Sequence, residues 1–182
     1  MIIGLTGRNG SGKGTIADIL KGRGYLYFSL SDMIREEIRH TGHDVTRERM
    51  IAMGRKLRQE GGAGVLADKV LNFLLPNKDY IIDSIRNPGE VHSLKKHKDF
   101  FLLSIEADQK VRFERCAIRA RENDPMTLEE FIRLEEIELS SQNEASQQLI
   151  ATEKLADAVV QNDETVVELE RNLDLALQCL AK

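Results

Sequence analysis

The chain has 182 residues, 41% of them hydrophobic and 31% charged, which fits one domain with one sizeable core and at most a small lid. A net charge of −4 excludes a chain-wide electrostatic footprint for nucleic acid, so any anion site must be local. No apolar run approaches membrane-spanning length, and Cys116 and Cys179 lie too far apart for a metal or redox motif, which fits a cytoplasmic, reducing location.

Strand and helix patterns alternate along the chain. Ile2–Thr6 is apolar and runs straight into a glycine loop without a basic leader, so it reads as a buried first strand rather than a signal peptide. A helix opens at Thr15 and carries Ile16, Ile19 and Leu20 at helical spacing before Gly22 and Gly24 end it. Tyr25 to Ser29 reads as a second strand. Residues 31–75 are helical in pattern, broken near Thr41-Gly42 and at Gly61-Gly62. Tyr80 to Asp83 is a third strand. Asn87-Pro88-Gly89-Glu90 is a helix start, with a cap, a proline in the first turn and an acid three residues after the cap. Phe100 to Ile105 is a fourth strand, followed by a charged helix from about Asp108 to Arg121. Asp124-Pro125 interrupts it, Thr127 and Glu130 form a capping box for another helix, and Ala158 to Gln161 is a short fifth strand. Asp163 is expected to cap a last amphipathic helix carrying Val166, Leu169, Leu173, Leu177 and Leu180. Five strands separated by helices predict a parallel α/β sheet covered on both faces. The whole chain, 1–182, reads as one domain, with a helical insertion at about 31–75 and a short lid at about 119–127.

Between the first strand and helix stands Gly7-Arg8-Asn9-Gly10-Ser11-Gly12-Lys13-Gly14-Thr15. Gly7, Gly12 and Lys13 match G-x-x-x-x-G-K-[ST] in the strand–loop–helix context that motif requires. Its glycines let several backbone N–H groups converge on one point, and the helix N-terminus adds partial positive charge. Gly7, Asn9, Gly10, Ser11, Gly12, Lys13, Gly14 and Thr15 are therefore the expected binding residues for the phosphates of ATP or a similar nucleotide, with Lys13 also catalytic. Gly14 takes the place of the usual hydroxyl, which comes one residue later at Thr15, the first candidate for Mg²⁺.

Gly10-Ser11-Gly12-Lys13-Gly14-Thr15 resembles the loop of the nucleoside monophosphate kinases, adenylate kinase among them. Ile3-Gly4-Leu5-Thr6-Gly7 with Gly10-Ser11-Gly12-Lys13 also resembles dephospho-coenzyme A kinases. Both are small P-loop kinases, whose fold is a five-stranded parallel sheet with helices on both faces, an acceptor-binding helical segment and a lid. The resemblance extends to Asp83-Ser84-Ile85-Arg86 and Ala156-Asp157-Ala158-Val159-Val160, which look like segments of adenylate-kinase-like proteins of archaea and bacteria.

The resemblance assigns further residues. Ser31-Asp32-Met33-Ile34-Arg35 is similar to the monophosphate-binding segment of adenylate kinases, so Asp32 and Arg35 become acceptor-binding candidates. The plain alternative is a helix start in which Asp32 suits the dipole and Arg35 pairs with a nearby acid. Asp83, at the carboxyl end of the third strand, stands where a P-loop enzyme positions Mg²⁺, and Arg86 follows one place closer to it than in adenylate kinase. Arg112, Arg115 and Arg119 share one helix face by spacing, either as a solvated face paired with Glu114 and Glu122 or as the arginines that flank a lid. Arg119, Arg115 and Arg121 are the candidates to close over the phosphates, with Arg133 behind them.

A kinase with ATP as donor, Mg²⁺, and a nucleoside monophosphate as acceptor follows as the leading expectation. A phosphate acceptor needs cations, which Arg35 and Arg86 provide, but no general base. A hydroxyl acceptor, as in dephospho-coenzyme A kinase, would need a carboxylate such as Asp32. A nucleotide-binding regulatory module is a third reading. Monomer and homodimer both remain open; no nucleic-acid or membrane partner is expected. His40 and His43 flank a glycine turn without a third ligand, and Asn77-Lys78-Asp79 misses the guanine-reading spacing. The zinc-deaminase motifs H-x-E and P-C-x-x-C do not occur.

Overall fold

The computed structural model describes residues 1–119, 127–139 and 148–180. Arg121 and most of the expected lid lie outside them. Five strands, β1 (Ile2–Thr6), β2 (Leu26–Ser29), β3 (Tyr80–Asp83), β4 (Phe100–Glu106) and β5 (Ala158–Gln161), form one sheet in the order β2-β3-β1-β4-β5. Every pairing is parallel. β1 and β3 are buried along their whole length, which accounts for their unbroken apolar runs.

Side chains alternate across this sheet and divide the core in two. Ile3, Leu5, Ile81, Leu103 and Ile105 face α1 (Lys13–Gly22) and α9 (Val166–Leu180), meeting Ile16, Leu20, Leu169 and Leu173. Ile2, Tyr80, Ile82, Phe100 and Leu102 face the opposite layer, built from α2 (Leu30–His40), α3 (Arg47–Gly61), α4 (Val65–Leu71) and α5 (Pro88–Leu94). The breaks read at Gly42 and Gly61-Gly62 separate α2, α3 and α4. α5 starts as its sequence demands, with Asn87 Oδ1 accepting from Gly89 N at 2.8 Å and Glu90 closing a full capping box.

Three local expectations need correction. The first helix begins at Lys13, two residues before Thr15, so Lys13 is already on the helix. Asp163 does not cap α9: its carboxylate accepts from Asp108 N at 2.6 Å, and Thr165 Oγ1 accepts from Glu168 N instead. A one-turn helix, α8 (Leu149–Glu153), precedes β5 and was not foreseen, because five residues are too few to display a period. The remaining helices are α6 (Gln109–Arg119) and α7 (Leu128–Leu139). As expected, Thr127 Oγ1 accepts from Glu130 N.

β1 and β4 are neighbours in the sheet, and the crossover after β1 leads to β2 on one side of them while that after β4 leads to β5 on the other. A crevice opens at that switch point, beyond the carboxyl ends of the strands. The glycine loop after β1 and the turn after β3 both arrive there.

Candidate functional site

Thr6 Oγ1 at the end of β1 donates to the Ile85 carbonyl at 2.8 Å, tying the glycine loop to the turn after β3. Gly10 (φ +77°) and Gly12 (φ +102°) lie in the left-handed region. A Cβ on Gly10 would sit 2.4 Å from the Arg112 carbonyl, and one on Gly12 would sit 2.0 Å from Asn162 Nδ2. Both glycines are therefore required by conformation and by close packing. Gly12 is also the N-cap of α1 and offers no side-chain cap, so the first-turn N–H groups stay available to an anion. Ser11 Oγ is buried without a hydrogen-bond partner among the described residues, a donor left over in the same loop.

Lys13 Nζ donates to the carbonyls of Gly7 (2.6 Å) and Arg8 (2.9 Å). Burial lowers its pKa to about 8; the nearby Arg86 charge pushes the same way and Asp83 opposes it. Still mostly charged at neutral pH, this lysine has its charged form stabilised further by phosphate oxygens placed beside it.

One cavity of about 940 Å³ joins the loop from Asn9 to Thr15 with Asp32, Arg35, Asp83, Arg86, Arg115 and Arg119. Its described lining carries five cationic side chains (Lys13, Arg35, Arg86, Arg115, Arg119) against three acids (Asp18, Asp32, Asp83). In an acidic chain this is the local anion site that the overall charge requires. Of the described sequence candidates, Gly7 and Arg133 are absent from the lining, and the Gly7 carbonyl holds Lys13.

On the acceptor side, Arg35 Nη1 and Asp32 Oδ1 form an ion pair at 2.5 Å, one turn apart at the start of α2. The pairing that the plain reading of this helix start anticipated is thus present, and both residues line the cavity nonetheless. Asp83 is buried; its Oδ1 accepts from Ser84 N at 2.5 Å and its Oδ2 from Tyr27 Oη at 3.0 Å. Burial, followed by the Asp83 charge, pushes the Tyr27 phenol well above its ordinary pKa, so it stays a donor. Arg86 is held by its backbone: its N–H donates to Glu90 Oε2 at 2.8 Å, and Asn87 N donates to the same oxygen at 3.1 Å. Glu90 Oε1 accepts from Arg58 Nε (3.0 Å) and Nη2 (2.7 Å), a fully buried pair joining α3 to the turn.

The α6 arginines divide by function. Arg112 is not on a solvated face with Glu114 and Glu122. It is buried, forms a bidentate pair with Glu135 of α7, stacks over Phe131 at 5.5 Å and reaches the Asn9 carbonyl at 3.3 Å. Burial works to raise the Glu135 carboxyl's pKa, but the Arg112 and Gln109 donors outweigh it and hold it below the usual range. Arg115 lines the cavity but spends its guanidinium on Asn162, donating to the backbone carbonyl (2.8 Å) and to Oδ1 (3.3 Å). Asn162 in turn donates from Nδ2 to the Ser11 carbonyl at 2.7 Å. Arg115 therefore acts on the loop through Asn162. Arg119, the first candidate, is exposed at the cavity wall, with Nη2 3.2 Å from Asn9 Oδ1. Arg133 is exposed and does not line the cavity. Arg121 lies outside the described residues.

Thr15 and Asp83 contribute a hydroxyl and a carboxylate to the same cavity. Among the described residues no group of three or more His, Cys, Asp or Glu could enclose a metal. That donor set fits Mg²⁺, which takes few protein oxygens and shares the phosphates of a bound nucleotide. Sequence reasoning missed Tyr27, Arg58, Glu135 and Asn162. Only Asn162 carried a usable signal, as the polar residue directly after a strand's carboxyl end. The partners of the others are 23 to 56 residues away in the chain.

Comparison with known proteins agrees with this fold. A family profile described as an AAA domain matches residues 6–133. A UPF0200 protein of Pyrococcus abyssi is 34% identical over 98% of this chain and 96% of its own length. A UPF0200 protein of Methanocaldococcus jannaschii is 33% identical over 98% and 89%. Among solved structures, TT1252 from Thermus thermophilus superposes with a TM-score of 0.59 at 24% identity, covering 99% of this chain and 97% of that one. Shikimate kinase from Aquifex aeolicus gives 0.58 at 19%, covering 100% and 98%. A gluconokinase from Sinorhizobium meliloti gives 0.55 at 14%, covering 98% and 90%. The fold is that of the small P-loop kinases. No described helix is long and apolar enough to cross a membrane.

Proposed function

The chain belongs to the UPF0200 family and carries an AAA domain, and on that premise we propose that it transfers the γ-phosphoryl group of ATP to the phosphate of a nucleoside monophosphate. The observation that carries this reading is the single cavity in which the glycine loop faces Arg35 and Arg86. Residues 1–182 act as one domain in this reading, with α2 to α4 forming the acceptor-binding insertion. The triphosphate lies along Gly10 to Thr15, its charge met by the α1 N-terminus, Lys13 and Arg119. Thr15 and Asp83 would hold Mg²⁺ or its waters, and the ion would neutralise the transferring phosphoryl group. An ionised phosphate needs no base, so the protein's task is to align the two phosphates and offset their repulsion. Arg35 and Arg86 do this from the acceptor side, because a guanidinium matches phosphate oxygens bidentately and keeps its charge.

A hydroxyl acceptor is the second reading, favoured by one observation: the Asp32 carboxylate lines the same cavity, where it could take a hydroxyl proton. A screen of nucleotide and hydroxyl acceptors with ATP and Mg²⁺, read by product mass, tests both. With a phosphate acceptor, Arg35→Lys raises acceptor KM strongly and Asp32→Asn is mild. Collapse of kcat in Asp32→Asn with a tolerant Arg35→Lys refutes the first reading and establishes the second.

A further inference from the structure

We propose that Tyr27 is a positioning residue for Asp83: its phenol fixes the carboxylate so that only one set of lone pairs faces the phosphate cavity. This deepens the kinase reading and rests on it.

The argument begins with strand register. β2 pairs with β3 so that Ser29 lies opposite Asp83 and Tyr27 opposite Ile81. Tyr27 and Ser29 share a face, which makes Tyr27 the diagonal neighbour of Asp83, about 7–8 Å away and within reach of an aromatic side chain. Tyr27 Oη closes that distance with a 3.0 Å hydrogen bond to Oδ2. The ring is also braced from the other side: Lys21 Nζ of α1 sits 5.0 Å from its centroid. Tyr27 thus bridges the helix that starts in the glycine loop and the carboxylate that ends β3.

The other oxygen is fixed independently. Ser84 holds φ +65°, a conformation a non-glycine residue adopts at a cost, and in it the Ser84 N–H donates to Oδ1 at 2.5 Å. With one donor on each oxygen the carboxylate cannot rotate, and each oxygen keeps a lone pair for a further contact. Tyr27 is 36% exposed on an edge strand, so its hydroxyl contributes little to the core. Its contact with Asp83 is better explained by the aim of the carboxylate. An aspartate with both oxygens already accepting suits contact with the waters of a bound Mg²⁺, and the donors that orient such a group tune metal affinity.

Tyr27→Phe removes one oxygen and keeps the ring. The first readout is Mn²⁺ binding to the protein–ATP complex, followed by the electron paramagnetic resonance of free Mn²⁺. It should weaken about ten- to a hundredfold. The Mg²⁺ concentration for half-maximal turnover rises by the same factor, while metal-free ATP binding stays at its wild-type value and Tm falls by no more than one lost hydrogen bond explains. Asp83→Asn weakens Mn²⁺ binding at least as much, and Tyr27→Phe added to it has no further effect, as a shared route requires. Wild-type Mn²⁺ binding in Tyr27→Phe, with phosphoryl transfer by the wild-type protein intact, overturns this proposal alone. So does a lowered Tm with unchanged Mn²⁺ binding, the mark of a purely structural tyrosine. A wild-type ATP complex that binds no Mn²⁺ and phosphorylates no acceptor overturns the kinase reading with it.

Discussion

Arg58→Ala should be among the most destabilising single substitutions in this protein, although Arg58 lies outside the cavity lining. Glu90 is fully buried and takes four hydrogen bonds: Arg58 Nε at 3.0 Å and Nη2 at 2.7 Å, Arg86 N at 2.8 Å and Asn87 N at 3.1 Å. Truncation at Arg58 deletes two charge-assisted bonds and leaves a buried carboxylate with two backbone donors and no counter-ion. Breaking a buried pair in this way costs about 3–5 kcal/mol, in line with about 1.5–3 kcal/mol for each lost bond to a charged group. For a chain of this size that lowers Tm by roughly 6–20 °C. Replacing both partners with apolar residues, as in Arg58→Met with Glu90→Leu, should recover only part of the loss: the desolvation penalty disappears with the charges, but Arg86 N and Asn87 N lose their acceptor. Urea unfolding of the wild-type, single and double variants at constant pH measures both effects. The double variant should still show an altered acceptor KM, since Arg86 and Asn87 lose the carboxylate that holds their backbone. A single variant within about 1 kcal/mol of wild type, or a double variant no better than the single, would refute the reasoning.

Three further predictions concern the loop. Lys13 has a pKa of about 8 in the ligand-free protein, and an adjacent phosphate favours its charged form. Affinity is therefore full below pH 8 and falls above it, where binding must take up a proton; roughly twentyfold weaker ADP binding is expected at pH 9.5 than at pH 7.5. Calorimetry in buffers of different ionisation enthalpy should detect that uptake in wild type and not in Lys13→Ala, and equal affinity at both pH values would remove the shifted lysine from the account. Lys13→Ala should also cost about a hundred- to a thousandfold in turnover with the fold intact. Asn162→Ala removes the 2.7 Å bond to the Ser11 carbonyl and the surface against which Gly12 packs. It should weaken nucleotide binding about tenfold, and an unchanged Kd would show that the loop holds its shape without the brace.

Much of this protein was determined by sequence alone, and the reason is locality. β1, the glycine loop and α1 are contiguous, so one strand, the four loop glycines and Lys13 could be read together, and the capping box at Asn87 to Glu90 is set by residues three apart. The five strands and the parallel class follow from the spacing of apolar runs. Arg35 and Arg86 were named through the resemblance of their segments to adenylate kinases, and both line the cavity. What only the tertiary structure decided is which charges face which. Arg112, Arg115 and Arg119 share one helical face and are indistinguishable by spacing. Packing gives Arg112 to Glu135, sends Arg115 to Asn162, and leaves Arg119 at the cavity wall. Tyr27 meets Asp83 only because β2 pairs with β3 in one register, and Glu90 meets Arg58 only because the fold brings the Arg58 side chain of α3 to the start of α5. These contacts join residues distant in the chain, and local sequence constrains them weakly, because many partners could satisfy an arginine or a tyrosine and only the packed sheet selects one.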